Sequence, residues 1–436
     1  MNDASVSRLT SQKLLIRNTI LSFSTQGLPV IIAFFTIQLI IKGLGNERFG
    51  ILTLIWAVIG YSSLLDFGMG HALTQLISRK LGAGDTKDLQ TIIWTTLLIM
   101  LMLGISAGCL IYGLTPLIVD NILKIPAKYR LETLYSVHLL AFSLPLLIMN
   151  FSLNGILEAH QKFHIITAIR LPIIFCNYVA PLIVLAFYNS LFSVVLVLVA
   201  ARVITFFAYL IVCMKIVVGF NDIKFKFSHI RPLLSFSSWV TVTNIINPLM
   251  VSMDRFFISN ILSAAFIVYY TTPHEVITKL WIIPNAIMSV MFPAFSAEFV
   301  NNKERTLRLY FNSLKFTAIL MLPLIILTII FAKIGLSIWL NPEFAEKSYK
   351  IAQILAVGVF IYGLNQPSFN LIQATGRSDI TAKLHLIELP LYLVLLCLLI
   401  RWHGLIGAAI AWLARIFIDA IVLNQIAIRL VKSKKE

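Results

Sequence analysis

The chain has 436 residues, 59% of them hydrophobic and 12% charged, with thirty Phe and a mean hydropathy of +0.90. A soluble domain carries about 25% charged residues because more than half of its area must stay wet, so a water-soluble fold is excluded and lipid is the solvent. The net charge of +16 comes from 35 Lys and Arg against 19 Asp and Glu; no basic run is interleaved with aromatics, so no nucleic-acid partner is expected.

Apolar runs bounded by charge or turn residues predict twelve helices, near 14–41, 50–78, 89–117, 134–158, 165–187, 191–214, 236–260, 264–295, 309–332, 349–374, 381–400 and 404–428. Each is long enough to span a bilayer, and the connections between them are too short for an extramembrane domain. Arg8, Lys13 and Arg17 precede an apolar stretch, Ile20–Ile41, that is longer than a signal-peptide core and lacks a cleavage site. It is read as a retained first span. With the N-terminus inside, 22 basic residues fall on the side of the termini, nine on the other side and four within spans. That bias follows the positive-inside rule and predicts cytoplasmic termini. The longest cytoplasmic connection, 215–235, divides an N-terminal bundle (1–214) from a C-terminal one (236–436).

The halves echo one another. Pro29 in the first span answers to Pro248 in the seventh, and Leu44 to Leu262 in the turn that follows. Ile156-Leu-Glu-Ala-His-Gln-Lys-Phe-His-Ile165 lines up with Leu371-Ile-Gln-Ala-Thr-Gly-Arg-Ser-Asp-Ile380 at an offset of 215. Six spans is an even number, so the halves share one orientation as parallel repeats, a geometry that creates a central cleft. Interrupted helices at matching places make Pro29 and Pro248 the candidate bends along a transport path.

Charges in mid-bilayer cost about 2.5–3.5 kcal/mol and are kept where they face a partner or a cavity. The basic ones are Arg202, Arg255, Lys279 and Arg415; the acidic ones are Asp66, Asp254, Glu275, Glu388 and Asp419. Glu275 with Lys279, and Arg415 with Asp419, stand four apart and can close on one helix face. Adjacent Asp254 and Arg255 point about 100° apart, which turns one of them toward the cleft. Tyr269, Tyr270, His274, Asn285, Asn365, Gln366 and Gln373 either hydrogen-bond sugars or tie helices together. Neither G-x-x-x-x-G-K-[ST] nor H-E-x-x-H occurs, so no cofactor or metal is expected. The glycines at 43, 45, 68 and 70 suit tight turns or close packing. Cys109, Cys176, Cys213 and Cys397 have no paired spacing and are read as small core hydrophobes.

Leu44-Gly-Asn-Glu-Arg-Phe-Gly-Ile-Leu-Thr-Leu54 followed by Leu64-Leu-Asp-Phe-Gly-Met-Gly70 resembles the N-terminal pattern of bacterial polysaccharide exporters. Ser252-Met-Asp-Arg255, Phe292-Pro293, Ala374-Thr-Gly-Arg377 and Gly404-Leu-Ile-Gly-Ala-Ala-Ile-Ala411 extend the likeness over nearly the whole chain. Their order and spacing resemble lipid-linked O-antigen unit flippases of the multidrug, oligosaccharidyl-lipid and polysaccharide exporter superfamily. The resemblance implies an all-α integral membrane protein, a V-shaped pair of six-helix bundles in the bacterial inner membrane, and no enzymatic activity. Its substrate would be an undecaprenyl-diphosphate-linked oligosaccharide, with membrane lipid, a polysaccharide polymerase and a chain-length regulator as candidate partners. A diphosphate calls for shielded cations, which nominates Arg255 and Lys279, then Arg202. Asp66, Glu275 and Glu388 are the candidates for a coupling ion. Two alternatives stay open: a multidrug cation antiporter of the same superfamily, although 14–41 lacks the expected acid, and an integral-membrane polymerase or glycosyltransferase, although the outer connections are short. A major-facilitator fold is disfavoured because Arg79-Lys-Leu-Gly-Ala-Gly-Asp85 does not match its basic loop.

Overall fold

The computed structural model describes residues 10–61, 66–85, 88–122, 125–188, 190–217, 220 and 230–432, and every regular element among them is helical. In chain order these are α1 (Gln12–Leu44), α2 (Asn46–Tyr61), α3 (Met69–Gly82), α4 (Leu89–Leu117), α5 (Ala127–Ala159), α6 (Phe163–Phe187) and α7 (Leu191–Ile216). They continue as α8 (Ile230–Ile261), α9 (Ala264–Ile277), α10 (Ile282–Asn301), α11 (Lys303–Trp339), α12 (Pro342–Ala374) and α13 (Ser378–Lys432). Eight helical stretches among the described residues are long and apolar enough to cross a membrane. Large side chains such as Phe142 and Ile338 stand exposed on their outer faces, as lipid contact requires.

The breaks differ from the expected spans in two places. The stretch 50–78 is not one helix: α2 and α3 are separate, with Phe67 and Gly68 at φ 49° and 69°. Asp66 therefore lies in the turn, where its Oδ1 accepts the Gly68 amide at 2.7 Å; residues 62–65 lie outside the described ones. The stretch 264–295 is interrupted by a 3₁₀ turn, Thr278–Trp281, which starts five residues after Pro273. The last two expected spans, 381–400 and 404–428, are two helices that meet at a kink at Gly404 (φ 59°, ψ −136°), as expected. Most of the 215–235 connection also lies outside the described residues.

The chain forms two compact units, the first ending at Ser238 and the second beginning at Trp239. In the first, Ile40 and Leu52 pack with Leu140, Leu191, Val194 and Leu198, joining α1, α2, α5 and α7. Beside this core Glu132 takes the Arg48 guanidinium at 3.0 Å, the Ser190 hydroxyl at 2.8 Å and the Leu191 amide at 2.5 Å. A carboxylate at the start of α7 complements the free amides of the helix N-terminus. Helices α4 and α5 approach so closely that a Cβ on Gly104 would lie 2.4 Å from Pro145 Cα, the small-residue packing that lets membrane helices touch.

In the second unit, Asn302 and Asn341 cap α11 and α12 by accepting the amides of Arg305 and Phe344. Buried Glu298 meets Arg305 at 3.1 Å, tying the end of α10 to the start of α11. Gly358 of α12 lies against the Trp412 ring of α13.

The internal repeat is visible in the backbone. Helices α2 and α9 begin 218 residues apart, and Pro29 and Pro248 both lie within long helices, α1 and α8. At the α5–α6 turn the amides of Gln161, Lys162 and Ile165 bond the carbonyls of Glu158, Leu157 and Lys162. At the α12–α13 turn Gly376, Arg377 and Ile380 bond Gln373, Ile372 and Arg377, each partner shifted by 215. Gln161 and Gly376 hold the same left-handed place, at φ 56° and 87°. The cysteine expectation holds only in part: all four are free, but Cys213 alone is buried, while Cys109 and Cys176 lie exposed on apolar helix faces.

Candidate functional site

A buried polar cluster occupies the second unit. Asp254, on α8, has no exposed surface, and its carboxylate accepts the hydroxyls of Tyr270 (α9) and of Tyr392 (α13), the latter at 3.2 Å. The Arg415 guanidinium lies 5.4 Å from the centre of the Tyr392 ring and donates to Met250 Sδ at 3.6 Å. Farther along α13, donor atoms of His385, Glu388 and Asp419 all lie within 4.8 Å of one another. Asn365 of α12 donates to Asp419 Oδ2 at 2.7 Å. Helix α13 supplies five of these residues because it folds back at Gly404: His385, Glu388 and Tyr392 recur at helical spacing before the break, Arg415 and Asp419 after it. Apolar neighbours exclude water, so each carboxylate there needs a donor or a cation.

The expected charge pairs form differently. Glu275 bonds Arg255 at 2.5 Å, with both side chains exposed, rather than Lys279. The 3₁₀ turn from Thr278 shifts Lys279 off the 3.6-residue spacing that would stack it on Glu275. Arg415 and Asp419 likewise form no ion pair within 4.0 Å; Arg415 turns to Tyr392 and Met250, Asp419 to Asn365. Asp254 and Arg255 diverge as their adjacency requires, the acid inward and the base outward. Arg202 donates to the Leu198 carbonyl at 3.0 Å and meets no carboxylate among the described residues. Of the polar side chains weighed as sugar ligands, Tyr270, His274, Asn365 and Gln373 are buried inside the unit, which makes them ties between helices.

A family profile described as polysaccharide biosynthesis protein matches residues 44–349. The chain belongs to this family. A Shigella flexneri protein named "Putative O-antigen transporter" is 32% identical over 424 residues, covering 95% of this chain and 98% of that one. A mutant of the Vibrio cholerae MATE transporter VcmN matches with a TM-score of 0.84 at 15% identity, over 99% of each chain. A MOP superfamily transporter from Pyrococcus furiosus gives 0.80 at 15% identity, over 99% of this chain and 98% of that one. At such identities the likeness shows the fold alone. This polysaccharide biosynthesis protein is thus a multi-pass membrane protein with the fold of MATE and MOP transporters. Within it, His385 was not among the candidates read from the sequence. The available signal was its place one helical turn before Glu388, which sets two potential ligands on one face.

Proposed function

We propose that the chain is a flippase, not an enzyme, that carries an undecaprenyl-diphosphate-linked oligosaccharide repeat unit across the bacterial inner membrane by alternating access. The product would serve surface polysaccharide assembly, O-antigen or capsule, with a polymerase and a chain-length regulator downstream. The observation that carries this reading is the 32% identity to the Shigella flexneri protein along almost the full length of both chains. Twelve crossings, six to a unit, result if α2 with α3, α8, α12 and the part of α13 beyond Gly404 join the eight long apolar stretches. An even number keeps both termini on one face, and the basic bias makes that face cytoplasmic.

Of the three residues proposed to receive the diphosphate, Arg202 is the best available, because Arg255 is engaged by Glu275 and Lys279 is a point charge on an exposed turn. Guanidinium groups can grip phosphate oxygens through two parallel bonds. Of the coupling candidates, Asp66 is held by the Gly68 amide and Glu275 by Arg255, which leaves Glu388 to exchange a cation.

Deleting the protein tests the reading. Lipid-linked glycan should accumulate on the inner leaflet, scored by its resistance to an enzyme or label applied from outside. Repeat units that reach the outer face and remain unpolymerised would favour the polymerase reading instead.

A further inference from the structure

We infer that His385, Glu388 and Asp419 form a binding site for one divalent cation of the borderline class, such as Mn²⁺ or Zn²⁺. The assignment deepens the reading of Glu388 as the residue that exchanges a cation, and its test does not depend on which glycan is carried. Its first support is convergence. The three donor atoms lie within 4.8 Å of one another, and ligands about 2.0–2.2 Å from one ion stand up to about 4.4 Å apart, so tenths of an ångström close the site. His385 Nε2 is 3.9 Å from Asp419 Oδ1, too long for a hydrogen bond but suited to two ligands of a shared ion.

The second support is unmet valence. Glu388 and Asp419 face one another as a carboxyl pair, and no other side chain or backbone amide donates to either oxygen of Glu388 or to Oδ1 of Asp419, while Oδ1 of Asn365 is also buried without a donor. Glu388 is only 7% exposed, and buried carboxylates require a counter-charge or a proton. The third is charge. With an ion in place of the proton that Glu388 and Asp419 share, Asp254, Glu388 and Asp419 against Arg415 would leave a net charge of −2, which a single divalent ion cancels and a single alkali ion does not. A mix of carboxylate oxygen with imidazole nitrogen selects borderline metals over Ca²⁺ or Mg²⁺, which favour oxygen ligands throughout. A cavity of about 80 Å³ is lined by Glu388, Tyr392 and Arg415, several times the roughly 10–15 Å³ that one water needs.

Tag-free, full-length protein, stripped with a chelator in detergent, is titrated with Mn²⁺ and followed by electron paramagnetic resonance. The expected result is one tight Mn²⁺ per chain, displaced by Zn²⁺, with coupling to one imidazole nitrogen that disappears in His385→Ala. Glu388→Gln and Asp419→Asn should each weaken binding by about tenfold or more, while Glu343→Gln, on an exposed helix start, should bind as the parent does. A folded parent protein that takes up neither Mn²⁺ nor Zn²⁺ overturns the assignment, as does binding that survives all three substitutions or a response to Na⁺ alone. Should the variants not fold, stoichiometry and nitrogen coupling in the parent protein decide the matter.

Discussion

The two units place an arginine at matching sites and surround it differently. Arg202 lies about three turns beyond Ser190 on α7, and Arg415 about three turns beyond Gly404 on α13, each preceded by alanine. In the first unit the guanidinium reaches only a backbone carbonyl among the described residues; in the second, three buried acids, two tyrosines and a methionine gather near it. On the proposed reading, one repeat leaves its cation to an incoming anion, while the other uses the matching residue to balance its own interior. A duplicated scaffold can divide labour in this way because the backbone hydrogen bonds that define the turn survive while the side chains around it change.

The largest effect expected from this contrast is at Arg415. Arg415→Met leaves buried acids without their one cation and should destabilise the protein by about 3–5 kcal/mol, read from thermal unfolding in detergent or from loss of accumulation. Arg202→Met orphans no acid; its unfolding midpoint should stay near the parent's while polysaccharide export falls about tenfold or more. Equal destabilisation by both would break the comparison. Asp254→Asn removes the charged acceptor of Tyr270 and Tyr392 and should cost about 1.5–3 kcal/mol, measured the same way. The α4–α5 packing in the first unit depends on close contact, so Gly104→Ala, which drives a Cβ onto the Pro145 backbone, should cost about 1–3 kcal/mol. Gly113→Ala, which meets open space within 4 Å, should be close to neutral.

The smallest difference lies in the repeated turn. Gly376→Ala forces a Cβ into the left-handed region and should cost about 1 kcal/mol. Gln161→Gly relieves similar strain but removes the oxygen that accepts Asn18 Nδ2 at 3.0 Å, so the two changes should nearly cancel. A large loss there would mean that the Asn18 contact, and not the turn, holds α1 to this corner.

Much of the fold is legible along the chain. Hydropathy finds the long apolar helices, and the 215-residue offset finds the turn at Gln161 and its counterpart at Gly376. Of the site, Asp254, Glu388, Arg415 and Asp419 stand out as charges in apolar surroundings, yet their partners do not. His385 escapes notice because a single histidine on an apolar helix face is most often a core residue, and only the fold-back at Gly404 brings Asp419 beside it.

The sequence by itself determined that this is a helical membrane protein with an internal repeat, because hydropathy, helix length and repeat offset are properties of consecutive residues. Tertiary structure alone decided that Glu275 takes Arg255, that Asp254 takes two tyrosines, and that Glu388 and Asp419 converge, 31 positions apart. Those outcomes depend on which helix faces meet and on where a 3₁₀ turn or a single left-handed glycine resets the angular register. No local pattern carries that information.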